Sequence, residues 1–227
     1  MPQLLSLSVA ANMCCVAVAL YAVIRLGGVR RAVTRVFRQR KEDTHWLARQ
    51  SLFRSLTPPG KSIVIVGDSL TELADWSELL NRPVLNRGIS GDTTSGIMRR
   101  LATVIACCPR SIFLMTGSND LFALGLGSET IKNNVSAILN TIRAESPSTT
   151  VYLQSILPVS LQQAKGINIR AVNESLATLA DGNSVIFIDL FSHFEKDGYL
   201  KPELSFDGVH LNGNGYMVWR DAIAPFV

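Results

Sequence analysis

A serine, a histidine and an aspartate stand in settings that suit nucleophilic catalysis. Ser69 closes the run Ile63-Val64-Ile65-Val66-Gly67-Asp68-Ser69. His210 lies three residues after Asp207, within Asp207-Gly208-Val209-His210-Leu211. A serine hydroxyl is a weak nucleophile until a base takes its proton. A carboxylate on the far ring nitrogen fixes the base's tautomer and stabilises the imidazolium. The spacing of Asp207 and His210 lets one loop supply both groups. The chain has 3 histidines. His45 falls in a basic segment before the expected catalytic domain. His193, flanked by Phe191 and Phe194, reads as a packed or surface imidazole. On its own stretch Ser69 is read equally well as a nucleophile or as a helix N-cap.

Attack on an ester carbonyl builds an oxyanion, which needs donors already in place. The candidates are the backbone N–H of Ser69, the backbone N–H of Gly88 and the side-chain amide of Asn119. The plainer readings are a turn glycine for Gly88 and a loop residue bonding its own backbone for Asn119. Asp68, Asp92 and Asp120 read as turn and cap residues, with Asp92 a fair N-cap. No metal-ligand spacing and no Gly-x-Gly-x-x-Gly motif is present, so no cofactor is expected.

These residues must be held by strand ends. Ile63–Val66 are all β-branched and run into a glycine, the pattern of a strand buried on both faces. Residues 70–80 have helical spacing, so Ser69 sits on a strand-to-helix turn. Further strands are expected at 83–88, 111–115, 150–155 and 184–188. Helices are expected at 92–101, 128–144, 167–180 and 215–223. Strands alternating with helices indicate α/β architecture, here a flavodoxin-like, doubly wound, five-stranded parallel sheet. Ligands of such sheets bind outside the carboxyl ends of the strands. With strand order 2-1-3-4-5, Ser69, Gly88 and Asn119 all fall at carboxyl ends of neighbouring strands. That convergence weighs toward the nucleophile reading of Ser69.

Together the four segments resemble the SGNH (GDSL-type) hydrolases. Gly67-Asp68-Ser69-Leu70 resembles the nucleophile block and Asn86-Arg87-Gly88-Ile89-Ser90-Gly91-Asp92 the glycine block. Gly117-Ser118-Asn119-Asp120 and Asp207-Gly208-Val209-His210 match the remaining two. The second segment and the compact size are similar to the platelet-activating-factor acetylhydrolase-like branch. The resemblance covers residues 61–227. It implies Ser69 as nucleophile, His210 as general base and Asp207 as its orienting acid. It also implies an oxyanion hole of Ser69, Gly88 and Asn119.

The N-terminus has a different character. Hydrophobic residues make up 47% of the 227 and mean hydropathy is +0.23. Residues 4–24 carry no charge and are long enough, as a helix, to cross a bilayer. Arginines follow directly, and seven of the 22 basic residues fall between Arg25 and Lys41. The rest of the chain then holds 15 basic against 18 acidic residues, so the charge excludes a nucleic-acid-binding domain. The expected organisation is a transmembrane anchor over 1–24, a basic amphipathic linker over 25–60 and a hydrolase domain over 61–227. The positive-inside rule places that domain in the cytoplasm, and an Arg-rich transit peptide is the alternative for the basic segment. The adjacent pairs Cys14–Cys15 and Cys107–Cys108 read as small apolar side chains. The expected function is a membrane-anchored serine esterase acting on lipid or lysophospholipid esters. The alternatives are an acetyl esterase for small or carbohydrate-linked substrates and a non-catalytic binding domain on the same fold.

Overall fold

A computed structural model describes Val16, Tyr21 and residues 44–164 and 166–227. The chain divides into two compact units, Met1–His45 and Trp46–Val227. The second carries the sheet and the helices packed on it.

Five strands form one parallel sheet in the order β2-β1-β3-β4-β5. They are β1 (Ile63–Gly67), β2 (Leu85–Gly88), β3 (Ser111–Leu114), β4 (Thr150–Gln154) and β5 (Val185–Ile188). Register is fixed by pairs such as Gly67 with Gly88 and Val66 with Leu114. The sheet type and strand order are those expected from the sequence.

Alternate side chains of a strand point to opposite faces, and each face has its own apolar layer. Val64, Val66, Ile112, Leu114, Val151 and Leu153 meet Ile97, Leu101, Ile131, Val135 and Leu176 on one side. The helices supplying these are α4 (Thr94–Ile105), α6 (Ser128–Glu145) and α8 (Ile169–Ala177). Ile63, Ile65, Phe113 and Met115 meet Trp76, Trp219 and Ile223 on the other. There the helices are α3 (Trp76–Leu79) and α10 (Gly213–Ile223), and the rings of Trp76 and Trp219 stand edge to face at 5.0 Å. Helix α1, over residues 44–55, packs Phe53 into the unit, with Arg49 and Arg87 over its ring.

The helix expected over 70–80 is two short ones, α2 (Ser69–Glu72) and α3. A hairpin of β6 (Glu195–Lys196) and β7 (Tyr199–Leu200) was not foreseen. Two-residue strands carry too little periodicity to be read. The remaining short helices are α5 (Ser118–Phe122), α7 (Leu161–Ala164) and α9 (Phe191–Phe194).

The expected transmembrane helix and cytoplasmic placement are corrected here. Among the described residues, no helix is long and apolar enough to cross a membrane. The described helices are amphipathic: α6, the longest, buries Ile131, Val135, Ile138, Leu139 and Ile142 and turns its charged residues outward. Much of the high apolar content goes into the two layers flanking the sheet. The expected span over residues 4–24 lies, apart from Val16 and Tyr21, outside the described residues.

Candidate active site

The turn after β1 sets the geometry. Asp68, not Ser69, caps α2: its Oδ1 accepts from the Leu70 N–H at 3.0 Å. Ser69 is therefore the first helical residue, and its hydroxyl is not spent on capping. A four-residue helix leaves most of its carbonyls without intrahelical partners. Here side chains supply them. Trp76 Nε1 and the Asn86 amide both donate to Thr71 O, and Tyr216 Oη donates to Leu70 O. The Asn86 amide also reaches the Glu72 and Ala74 carbonyls.

Ser69 Oγ lies 3.1 Å from His210 Nε2. His210 Nδ1 lies 2.7 Å from Asp207 Oδ2. The other carboxylate oxygen, Oδ1, accepts from the backbone N–H groups of His210 at 2.7 Å and Val209 at 2.9 Å. Ser205 Oγ donates to His210 O and accepts from Gly208 N–H, closing the loop on itself. Partial desolvation works to raise the Asp207 carboxyl. The His210 ring N–H, the two backbone N–H groups and the His210 charge outweigh it and hold the carboxyl well below the usual range. Asp207 is thus an anion at neutral pH, facing the ring nitrogen that a base must keep protonated.

The expected oxyanion donors fare differently. Among the described residues the Ser69 N–H has no partner. The Asn119 amide donates to Asp92 O at 2.8 Å and reaches Asp68 Oδ2 at 3.4 Å. It therefore bridges the Ser69 turn and the turn after β2. The Gly88 N–H is already committed to Asn86 Oδ1 at 2.9 Å. Gly88 instead makes room: a Cβ there would overlap the backbone of Thr71 and Glu72. The free group in this segment is three residues on. Gly91, with φ +77°, has no hydrogen-bond partner for its N–H among the described residues, and nothing crowds its α-carbon. The sequence alone does not single out Gly91, although two glycines close together in one loop are the available signal.

The other acids are structural. Thr93 rather than Asp92 caps α4, through its Oγ1 and the Gly96 N–H. Asp92 is buried and paired with Arg100 at 2.7 Å. Burial raises its carboxyl above the ordinary value, against the opposing pull of Arg100. Asp120 accepts from the N–H and hydroxyl of Thr94. Asp68 is pushed up to about 6, chiefly by burial, with the Leu70 N–H opposing and the Asp92 charge adding. His193 is exposed in α9, its backbone carbonyl accepting from Lys201 Nζ. Among the described residues no cluster of His, Cys, Asp and Glu is arranged to hold a metal ion.

A serine, a histidine and an aspartate are thus linked at the carboxyl edge of a parallel sheet. The chain belongs to the GDSL-like Lipase/Acylhydrolase family, whose sequence model matches residues 65–218, and it is a carboxylic ester hydrolase. A Streptococcus pneumonia structure, provisionally assigned as a platelet activating factor, is similar at 27% identity and TM-score 0.78. That likeness covers 86% of this chain and 98% of the other. A GDSL-like lipase from Bacteroides thetaiotaomicron shares the fold at 23% identity and TM-score 0.68, over 80% of this chain and 96% of its own. An acetylxylan esterase from Geobacillus stearothermophilus shares it at 17% identity and TM-score 0.62, over 74% and 94%. An N-acylneuraminate cytidylyltransferase from Escherichia coli is 26% identical over 171 residues, 73% of this chain. The chain spans about two fifths of that relative's length.

Proposed function

We propose that the chain hydrolyses acyl esters through an acyl-enzyme on Ser69. The observation that carries the reading is the continuous relay from Ser69 Oγ through His210 to Asp207, at 3.1 and 2.7 Å. Ser69 Oγ attacks the ester carbonyl while His210 Nε2 takes its proton. Asp207 keeps the Nδ1 proton in place and stabilises the imidazolium. The tetrahedral oxyanion is met by the Ser69 N–H, the Gly91 N–H and the Asn119 amide, Gly91 replacing Gly88 because its N–H is free. The weak 3.4 Å contact of Asn119 with Asp68 is the one the amide gives up. His210 then protonates the leaving alcohol, and water repeats the sequence to release the acid. Ser69→Ala is expected to abolish both ester turnover and labelling by a fluorophosphonate. Labelling that persists in that variant removes Ser69 from the role.

The substrate reading is an ester with an apolar acyl chain, lipid-like in character. Its support is a set of exposed apolar side chains on the segments that follow the strands: Leu73, Leu124, Leu161 and, at 94% exposure, Phe206 beside Asp207. Initial rates on esters of graded acyl length test it. A preference for acetate over octanoate would favour a deacetylase of small or carbohydrate-linked esters instead.

A further inference from the structure

The Gly91 turn is gripped from both sides, and two of the residues involved, Glu72 and Trp46, lie outside the four family blocks. On its N-terminal side, Glu72 Oε2 accepts from Ser90 N–H at 2.7 Å and from Ser90 Oγ at 2.6 Å. Glu72 belongs to the same short helix as Ser69, so it ties the nucleophile to the turn directly. Arg49 of α1 stands against the other oxygen, Nε to Oε1 at 2.8 Å. Its N–H is not aimed at that oxygen, so this is a charge contact and not an aligned hydrogen bond.

On the C-terminal side, Asp92 is held by three donors. Arg100 Nε meets Oδ2 at 2.7 Å, Trp46 Nε1 meets Oδ1 at 3.0 Å and the Thr93 N–H meets Oδ1 at 3.1 Å. Trp46 also belongs to α1, and Arg99 lies over its ring. Gly96 makes this approach possible, since a Cβ there would overlap Asp92 Oδ1. A buried Asp–Arg pair is costly to desolvate and contributes little net stability; fixing a geometry is one use for it. Here the geometry fixed is the peptide between Ser90 and Asp92, which contains the free Gly91 N–H.

We propose that Glu72 and Trp46 are positioning residues for the Gly91 oxyanion donor, and that helix α1 is thereby part of the catalytic support. The proposal rests on the reading of Gly91 as a donor. A donor displaced by about 1 Å costs up to about a hundredfold in rate. Trp46→Phe keeps an aromatic ring in place and removes one of the three donors to Asp92. It is expected to lower kcat about tenfold with KM within about twofold. Glu72→Ala frees the other side and is expected to cost about a hundredfold, most of it recovered in Glu72→Gln, which still accepts from Ser90.

The decisive readout is affinity for an alkyl boronic acid, which forms a tetrahedral adduct on the serine, against affinity for a non-reactive amide analogue of the ester. Adduct affinity should fall in step with kcat while amide affinity holds. Unchanged kcat and adduct affinity in Trp46→Phe, or equal losses for adduct and amide, would overturn the proposal. Should Trp46→Phe fail to fold, the same ratio in Glu72→Gln against Glu72→Ala carries the test. Ser69→Ala run alongside separates the two readings. If it retains turnover, the serine mechanism itself fails; if it is inactive while the other variants match wild type, only the brace fails.

Discussion

Replacing Asp207 by asparagine tests the relay at its most exposed member. The two carboxylate oxygens have different duties. Oδ1 holds the loop by accepting from Val209 and His210 N–H, and Oδ2 faces the His210 ring. An asparagine keeps its carbonyl oxygen toward the two backbone donors, because the reversed amide would set N–H against N–H. Its NH₂ group must then face His210 Nδ1. That nitrogen becomes an acceptor, the ring proton moves to Nε2, and Nε2 cannot take the proton of Ser69. The side chains of His210 and Asp207 are 41% and 55% exposed, so the direct charge attraction between them is strongly screened. Control of the tautomer is therefore the larger effect, and a wrong tautomer in a relay of this kind costs about 10⁴-fold in kcat, roughly 5 kcal/mol. Turnover of a chromogenic ester should fall by that order in Asp207→Asn while Tm stays close to wild type, since the loop bonds survive. Asp207→Ala should lose both rate and Tm, because it removes the loop bonds as well. An asparagine variant within tenfold of wild type would refute the reasoning.

Three further outcomes follow from single contacts. Gly88→Ala drives a Cβ into the backbone of Thr71 and Glu72 and should destabilise by about 2–3 kcal/mol, read as a lowered Tm. Gly91→Ala meets no atom of the described residues but sits at φ +77°, so it should cost about 1–2 kcal/mol and show mainly as lost kcat; a larger Tm loss at Gly91 than at Gly88 would reverse the assignment of the two glycines. Asp68 has its carboxyl pushed up to about 6 from 3.8, so the folded state disfavours its anion. The resulting cost is absent below pH 3.8, grows as pH rises to about 6 and is constant above, reaching about 3 kcal/mol. Asp68→Asn should therefore gain on wild type between pH 4 and pH 7 in denaturant titrations, and a pH-independent difference would count against a buried, titrating Asp68.

The sheet was legible because its strands are short apolar runs stopped by turn residues. Val64 and Val66 serve one layer and Ile63 and Ile65 the other, so both faces had to be covered and a parallel order followed. Ser69, Asp207 and His210 were legible for a related reason: each is fixed by a strand end or by a three-residue loop spacing. What sequence could not decide is which of two neighbouring glycines presents a free N–H. Gly88 and Gly91 both suit a turn, and the difference lies in a side chain two residues away, Asn86, whose oxygen takes one of the two. Long-range ties were hidden for the same reason. Trp46 and Asp92 are far apart in the chain and neither belongs to a periodic pattern linking them, yet their contact sets the turn that carries Gly91. The expected anchor failed in the opposite direction. Composition reports how much apolar surface a chain has, but not whether a bilayer or a second layer of helices will cover it. Among the described residues, most of the buried apolar side chains go into the two layers around this sheet, and no helix is long and apolar enough to cross a membrane. Local pattern therefore fixes elements and the residues at their ends, while the accuracy of the site is set by buried polar contacts between elements that no local pattern encodes.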